Sequence, residues 1–124
     1  MGDRQKEITA GLGAVGTFDI TTTGRKSGRP RRIEIVYHVI EGRIYISGQP
    51  APRRRNWLAN LDANPSLTLH LRKPIRTEVP AKARIIDAEL ERRPILARVA
   101  QNWGRRDLES MVQQSPLIEV TPEV

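Results

Sequence analysis

The sequence predicts a mainly β fold of α+β type: a six-stranded β-barrel, closed or partly split, carrying a few peripheral helices. Three observations lead there. Short runs alternate apolar and polar residues with the period of a strand. Most connections between them are too short for parallel crossovers. Helical periodicity is confined to segments that flank or interrupt those runs. The 124 residues read as one domain, 1–124, without repeats or linkers and long enough to bury a core unaided.

Residues 3–12 carry a weak helical pattern through Ile8 and Leu12, so residues 1–13 read as a short helix or a flexible segment. Residues 17–23 alternate, with Phe18, Ile20 and Thr22 on one face. In Arg31–Ile40, Ile33, Ile35, Tyr37 and Val39 share a face, while Val36 and Ile40 make the other partly apolar. Glu41-Gly42 is a two-residue hairpin signal, and the chain returns as the strand Arg43–Ser47.

The period then changes. Pro52 suits a first helical position, Trp57, Leu58 and Leu61 fall on one stripe, and Asn64-Pro65 is a stop because Asn tolerates a left-handed conformation. "LTLHL" at 67–71 reads as a strand. A turn at Lys73-Pro74 leads into residues 75–86, where Ile75, Thr77, Val79, Ala81, Ala83 and Ile85 face one way. Pro80 lacks a ladder donor and predicts a sheet edge or a bulge. Residues 88–103 are helical with Ile95, Val99 and Trp103 aligned, and Pro94 predicts a kink or a start near Arg93. A short helix through Leu108, Met111 and Val112 and a strand at 116–122 complete the chain.

Composition excludes several chemistries. There is no cysteine, hence no disulfide, thiolate nucleophile, Cys-bound zinc or ordinary iron–sulfur ligation. No apolar run is long enough for an integral membrane segment. The amino-terminal stretch, with Asp3 and Glu7, lacks a signal-peptide core, so the expected location is cytoplasmic. Lys and Arg number 21 against 14 Asp and Glu, a net charge of +7 that favours an anionic partner.

"GLGAVG" (11–16) matches G-x-G-x-x-G, but a charged segment precedes it and a strand follows, which reverses the dinucleotide context; it reads as a flexible connector. "GRKSG" lacks the first glycine of a phosphate-binding P-loop. His38 and His70 sit on separate strands without a local third ligand, so no metal site is expected. Two basic clusters survive. Gly24 and Gly28 allow a tight turn and leave amides for an anion, with Arg25, Lys26, Arg29 and Arg31 around them. Arg53, Arg54 and Arg55 stand at the start of the inserted helix, whose unpaired N–H groups suit an anion. A purely solvated basic surface is the plainer alternative; two clusters flanking one hairpin argue against it.

These same residues carry a likeness. "TTTGRKSGRPRR", "GRIYISG" and "RRRNWLANLDANPSLTLHL" closely resemble the deazaflavin-dependent nitroreductase family, within the flavin/deazaflavin oxidoreductases of FMN-binding split-barrel-like fold. The match is good over 17–71 and looser over 72–124. The resemblance implies coenzyme F-420, a deazaflavin whose tail carries a phosphate and several glutamates, with FMN or FAD as the alternative. It implies hydride transfer to a small electrophilic substrate such as a quinone, nitro compound or activated alkene.

By position, Lys26 and Arg31 match family residues that hold the phosphate and tail. Ser47 matches the loop residue facing the ring, and Trp57 the tryptophan of the following helix; Arg25 and Arg29 sit beside them. Gly48 stands where many relatives carry a lysine, and Arg53–Arg55 are the candidate compensation. The family's carboxy-terminal tyrosines are absent, with Trp103 the only aromatic there, so substrate specificity does not transfer. Ser47, Tyr45, His38 and Trp103 are candidates to orient a substrate, and no catalytic side chain is singled out. Relatives include monomers and homodimers.

Two other classes compete. One is a non-catalytic carrier of flavin, haem or bilin. The other is a nucleic-acid-binding module, disfavoured because two Trp, two Tyr and one Phe are few for base-stacking platforms and no recognition helix is evident.

Overall fold

The computed structural model describes residues 3–72 and 75–123. Helix α1 (Asp3–Leu12) leads into strands β1 (Val15–Thr23), β2 (Pro30–Ile40) and β3 (Arg43–Ser47). Helix α2 (Asn56–Ala63) precedes β4 (Ser66–Leu71) and β5 (Thr77–Ile85), and α3 (Glu89–Trp103) and α4 (Leu108–Gln114) precede β6 (Leu117–Pro122). All pairings are antiparallel, and the order β1-β2-β3-β6-β5-β4 closes on itself. The predicted turn at Lys73-Pro74 lies outside the described residues.

Alternation builds the core. Phe18, Ile20, Tyr37, Ile44, Ile46, Leu69, Val79, Ala81, Ile118 and Val120 point into the barrel, joined by Ile8 and Leu12 of α1 and Leu58 and Leu61 of α2. A second core lies outside the barrel wall, where Ile40, Tyr45 and Leu117 meet Leu96, Val99, Met111 and Val112 of α3 and α4. Glu41 and Gly42 both have positive φ (52° and 75°), the mirror-image turn that a two-residue hairpin requires.

The structure corrects several expectations. "GLGAVG" is not a flexible connector. Gly13, at φ 78°, turns the chain out of α1. A Cβ on Gly16 would lie 2.5 Å from the Tyr37 hydroxyl, which donates to the Leu12 carbonyl at 2.5 Å while the Tyr37 ring stacks on Phe18 at 4.7 Å. Helix α2 starts at Asn56, not Pro52: Ala51 N–H donates to the Gln114 carbonyl and the Arg55 guanidinium to that of Gln49, holding the intervening chain in a bent, non-helical loop. Asn64 does end that helix, but in an extended conformation, with its side chain accepting from Ser66 N–H.

Pro80 sits in a closed barrel without a bulge. Its carbonyl accepts from Glu123 N–H, so its missing donor points to the same side, where β6 has already ended at Pro122. Helix α3 begins at Glu89 rather than near Arg93. The carbonyl that Pro94 leaves unpaired belongs to the exposed Leu90, where water can take it. Among the described residues no helix is long and apolar enough to cross a membrane.

Candidate functional site

The site follows from a mismatch in strand length. β1 pairs with β2 along its whole length, from Pro30 to His38, whereas β3 reaches only Tyr37–Ile40. The first half of β2 therefore has a neighbour on one side and an open edge on the other. Val39 N–H donates to Ala14 on the β1 side, and backbone groups alternate sides along an antiparallel strand. Glu34 and Val36 consequently turn their N–H and C=O groups towards the open edge.

That edge borders a cleft of about 740 Å³ whose other walls are Ser47, Gly48, Gln49, Arg55, Trp57, Trp103 and Arg105. A second cleft of about 530 Å³ lies along the β1–β2 turn, lined by Arg25, Lys26, Arg31, Asn56 and Asn60. Ile33 and Trp57 line both, so the clefts meet across these two side chains.

In the turn, several backbone amides are already committed. The expected free amides are occupied: Gly24 N–H donates to Arg29 O, Gly28 N–H to Gly24 O, and Arg25 N–H to Asn60 Oδ1. A Cβ on Gly24 would lie 2.8 Å from Ser27 Oγ and 3.2 Å from the Arg29 carbonyl oxygen, so a side chain there would displace Ser27. Arg25, exposed in the cleft wall, also clamps the turn. Its guanidinium donates to Asn60 Oδ1 (2.9 Å) and Asn56 Oδ1 (3.4 Å), and the buried Asn60 donates onward to Thr22 Oγ1. This fixes the turn against α2. Lys26 and Arg31 are likewise exposed in the cleft wall and enter no ion pair among the described residues. Arg29 is exposed and lines neither cleft.

The first cleft has three polar fixtures besides the β2 edge. Ser47 is buried and donates its only hydroxyl proton to Pro116 O at 2.7 Å, so towards the cleft it can accept but not donate. A Cβ on Gly48 would lie 3.2 Å from Pro116 Cγ and 3.5 Å from Arg55 Nε; the Arg55 side chain thus covers the place a side chain at position 48 would take. Arg105 is neutralised by Asp107, with Nε–Oδ1 at 2.8 Å, and is aimed by the left-handed Gly104 that ends α3. Sequence reasoning missed Arg105, although Trp103-Gly104 carries a helix-stop signal just before it.

Arg53 and Arg54 do not join these clefts. The late start of α2 leaves them in a loop lining a separate pocket, where Arg54 pairs with Asp62 at 3.2 Å. Of the candidates to orient a substrate, Ser47 and Trp103 line the first cleft, whereas Tyr45 and His38 lie in the packing between the barrel wall and α3–α4. His38 is fully buried beneath Trp103 (ring centroids 5.0 Å apart), and burial pushes its pKa down to about 4. Its Nδ1 accepts from Asn102, which leaves the proton on Nε2 without a partner. His70 bonds to Thr21 and Glu78, and no metal-binding cluster occurs among the described residues.

The sequence matches the model of a family described as F420H(2)-dependent quinone reductase over residues 4–120. Solved structures share the fold. An F420-H2 dependent reductase (FDR-A) aligns with a TM-score of 0.60 and 21% identity, covering 85% of this chain and 93% of that one. A domain-swapped dimer gives 0.62 and 21%, covering 85% and 79%. The heme storage protein HutZ of Vibrio cholerae gives 0.61 and 18%, covering 87% and 82%.

Proposed function

Because the chain belongs to the F420H(2)-dependent quinone reductase family, we propose that its two joined clefts divide the coenzyme between them, ring in the first and acidic tail in the second. The family is one of oxidoreductases that use coenzyme F-420 to reduce quinones. The observation that carries the division is the meeting of the clefts at Ile33 and Trp57, with uncommitted cations on one side of that junction and a free β edge with two tryptophans on the other.

The residues present fit the coenzyme. Lys26 and Arg31 supply donors for phosphate and carboxylates, while Arg25, in the same cleft wall, ties the turn to α2. The outward N–H and C=O groups of Glu34 and Val36, with Ser47 as acceptor, suit the polar edge of a planar heterocycle. Trp57 and Trp103 supply flat apolar wall and exclude water from it. Arg55 brings a cation over Gly48, compensating for the family lysine missing there. When bound, the reduced coenzyme supplies a hydride to the quinone, and one proton from solvent completes the hydroquinone. The cleft offers no better donor: its ionisable lining is Glu34, Arg55 and Arg105, and guanidinium groups do not release protons near neutrality.

The test is aerobic turnover of the reduced coenzyme with a soluble naphthoquinone, followed by the return of deazaflavin absorbance. Turnover dependent on protein supports the proposal; tight binding without turnover favours a carrier, the reading to which the likeness to HutZ lends some weight. A homodimer, suggested by the domain-swapped relative, is checked by light scattering, and a cytoplasmic location by fractionation.

A further inference from the structure

A third concavity, of about 380 Å³, lies where the 51–55 loop meets the start of α3 and the end of α4. Its chemistry differs from that of the joined clefts. Arg53, Arg54, Arg55 and Arg92 line it against one carboxylate, Asp87. That carboxylate is exposed and lies 3.9 Å from Arg54, which is itself shared with Asp62.

Arg92 is the less usual member. It is 8% exposed and has no carboxylate at ion-pair distance among the described residues; its guanidinium instead donates to the carbonyls of Ile86, Met111, Val112 and Ser115 at 2.7–3.1 Å. Those oxygens satisfy donors without cancelling the charge. A buried cation offset only through space, by the exposed Asp87, is costly, and one hydrogen on Nη1 remains uncommitted. Beside it, Ser115 is 4% exposed and its Oγ has no hydrogen-bond partner among the described residues. Buried hydroxyls are almost always bonded, so this one marks a group that the chain itself does not provide.

We propose that this pocket is a second anion site, taking a phosphate-sized oxyanion or the phosphate or carboxylate end of a small metabolite. Ser115 donates its O–H to the bound oxygen, Arg92 closes the inner wall with fixed charge, and Arg53, which enters no ion pair among the described residues, closes the outer rim. The pocket meets the first cleft at Arg55 and shares no lining residue with the second. On the coenzyme placement above, the acidic tail runs away from it, and the occupant is a separate small anion. The pocket's own chemistry does not depend on that placement.

Inorganic phosphate titrated into the isotope-labelled protein tests this by amide NMR. The expected result is a saturable shift of residues 53–55 and 113–115. The double variant Arg53→Ala/Ser115→Ala should move that curve to at least about tenfold higher phosphate. Arg53→Glu, an exposed change that leaves the fold alone, should do the same. Saturating the protein with coenzyme F-420 beforehand should leave the curve where it was. No saturable shift at these amides, or one indifferent to both variants, overturns the site. Competition by the coenzyme overturns the separate occupant and makes the pocket an end-point for the tail.

Discussion

Replacing Lys26 and Arg31 together by alanine removes the two cations that stand in the second cleft without an internal partner among the described residues. Neither holds the turn, which depends on Gly24, Ser27, Arg25 and Asn60, so the variant should melt at the parent temperature. Each cation would donate a charge-assisted hydrogen bond to the coenzyme's phosphate or carboxylates, about 1.5–3 kcal/mol apiece. Both are exposed, so the lower figure applies, and the pair is worth about 3 kcal/mol, or about 100-fold in Kd. Deazaflavin fluorescence reads the affinity directly, and repeating the titration across a range of salt reads the charge. The double variant should bind about 100-fold more weakly and respond less to salt, because fewer charges remain to be screened. Unchanged affinity, or weakened affinity with undiminished salt dependence, would refute the placement of the tail.

Three further outcomes follow. His38 takes up a proton readily only when unfolded, since burial lowers its pKa from 6.5 to about 4; its contribution is therefore complete above pH 6.5 and lost as the pH falls towards 4, a change of roughly 3 kcal/mol at 1.4 kcal/mol per tenfold. Urea unfolding across that window should show the slope, and His38→Leu should flatten it. Gly16→Ala drives a methyl into the Tyr37 hydroxyl, breaking its bond to Leu12, and should cost about 2–4 kcal/mol in thermal or urea unfolding, with Gly16→Ala/Tyr37→Phe recovering part. Asn60→Ala strands Arg25 N–H and Thr22 Oγ1 and should lose about 1–3 kcal/mol of stability while weakening coenzyme binding through the loosened turn.

Much of this was legible in the sequence because a period of two needs no knowledge of partners. Phe18, Ile20 and Thr22 alternate, and so do Leu67, Leu69 and Leu71, and the barrel they predict is the one that forms. The likeness read over residues 17–71 is likewise borne out by a family match over 4–120. What local reasoning could not see depends on distant contacts. Pro52 looks like a helix start until Gln114 claims the Ala51 N–H. Arg25 reads only as a cation of the turn until Asn56 and Asn60 show that it also ties the turn to α2. The glycine amides look free until Arg29 and Gly24 accept them. One signal was present and unused: the run at 31–40 is about twice the length of its hairpin partner at 43–47, so that partner cannot cover all of it.

That inequality has a consequence for how such a protein changes over time. The berth exists because one ribbon stops short of the other, a property of residue count rather than of residue identity. Substitutions along its walls can alter which guest is preferred while leaving the vacancy itself intact. Adding two or three residues that prolong β3 towards Gln49 would instead zip the seam and erase the vacancy at a stroke. Capacity to hold a guest and choice of guest are thus controlled by different kinds of mutation.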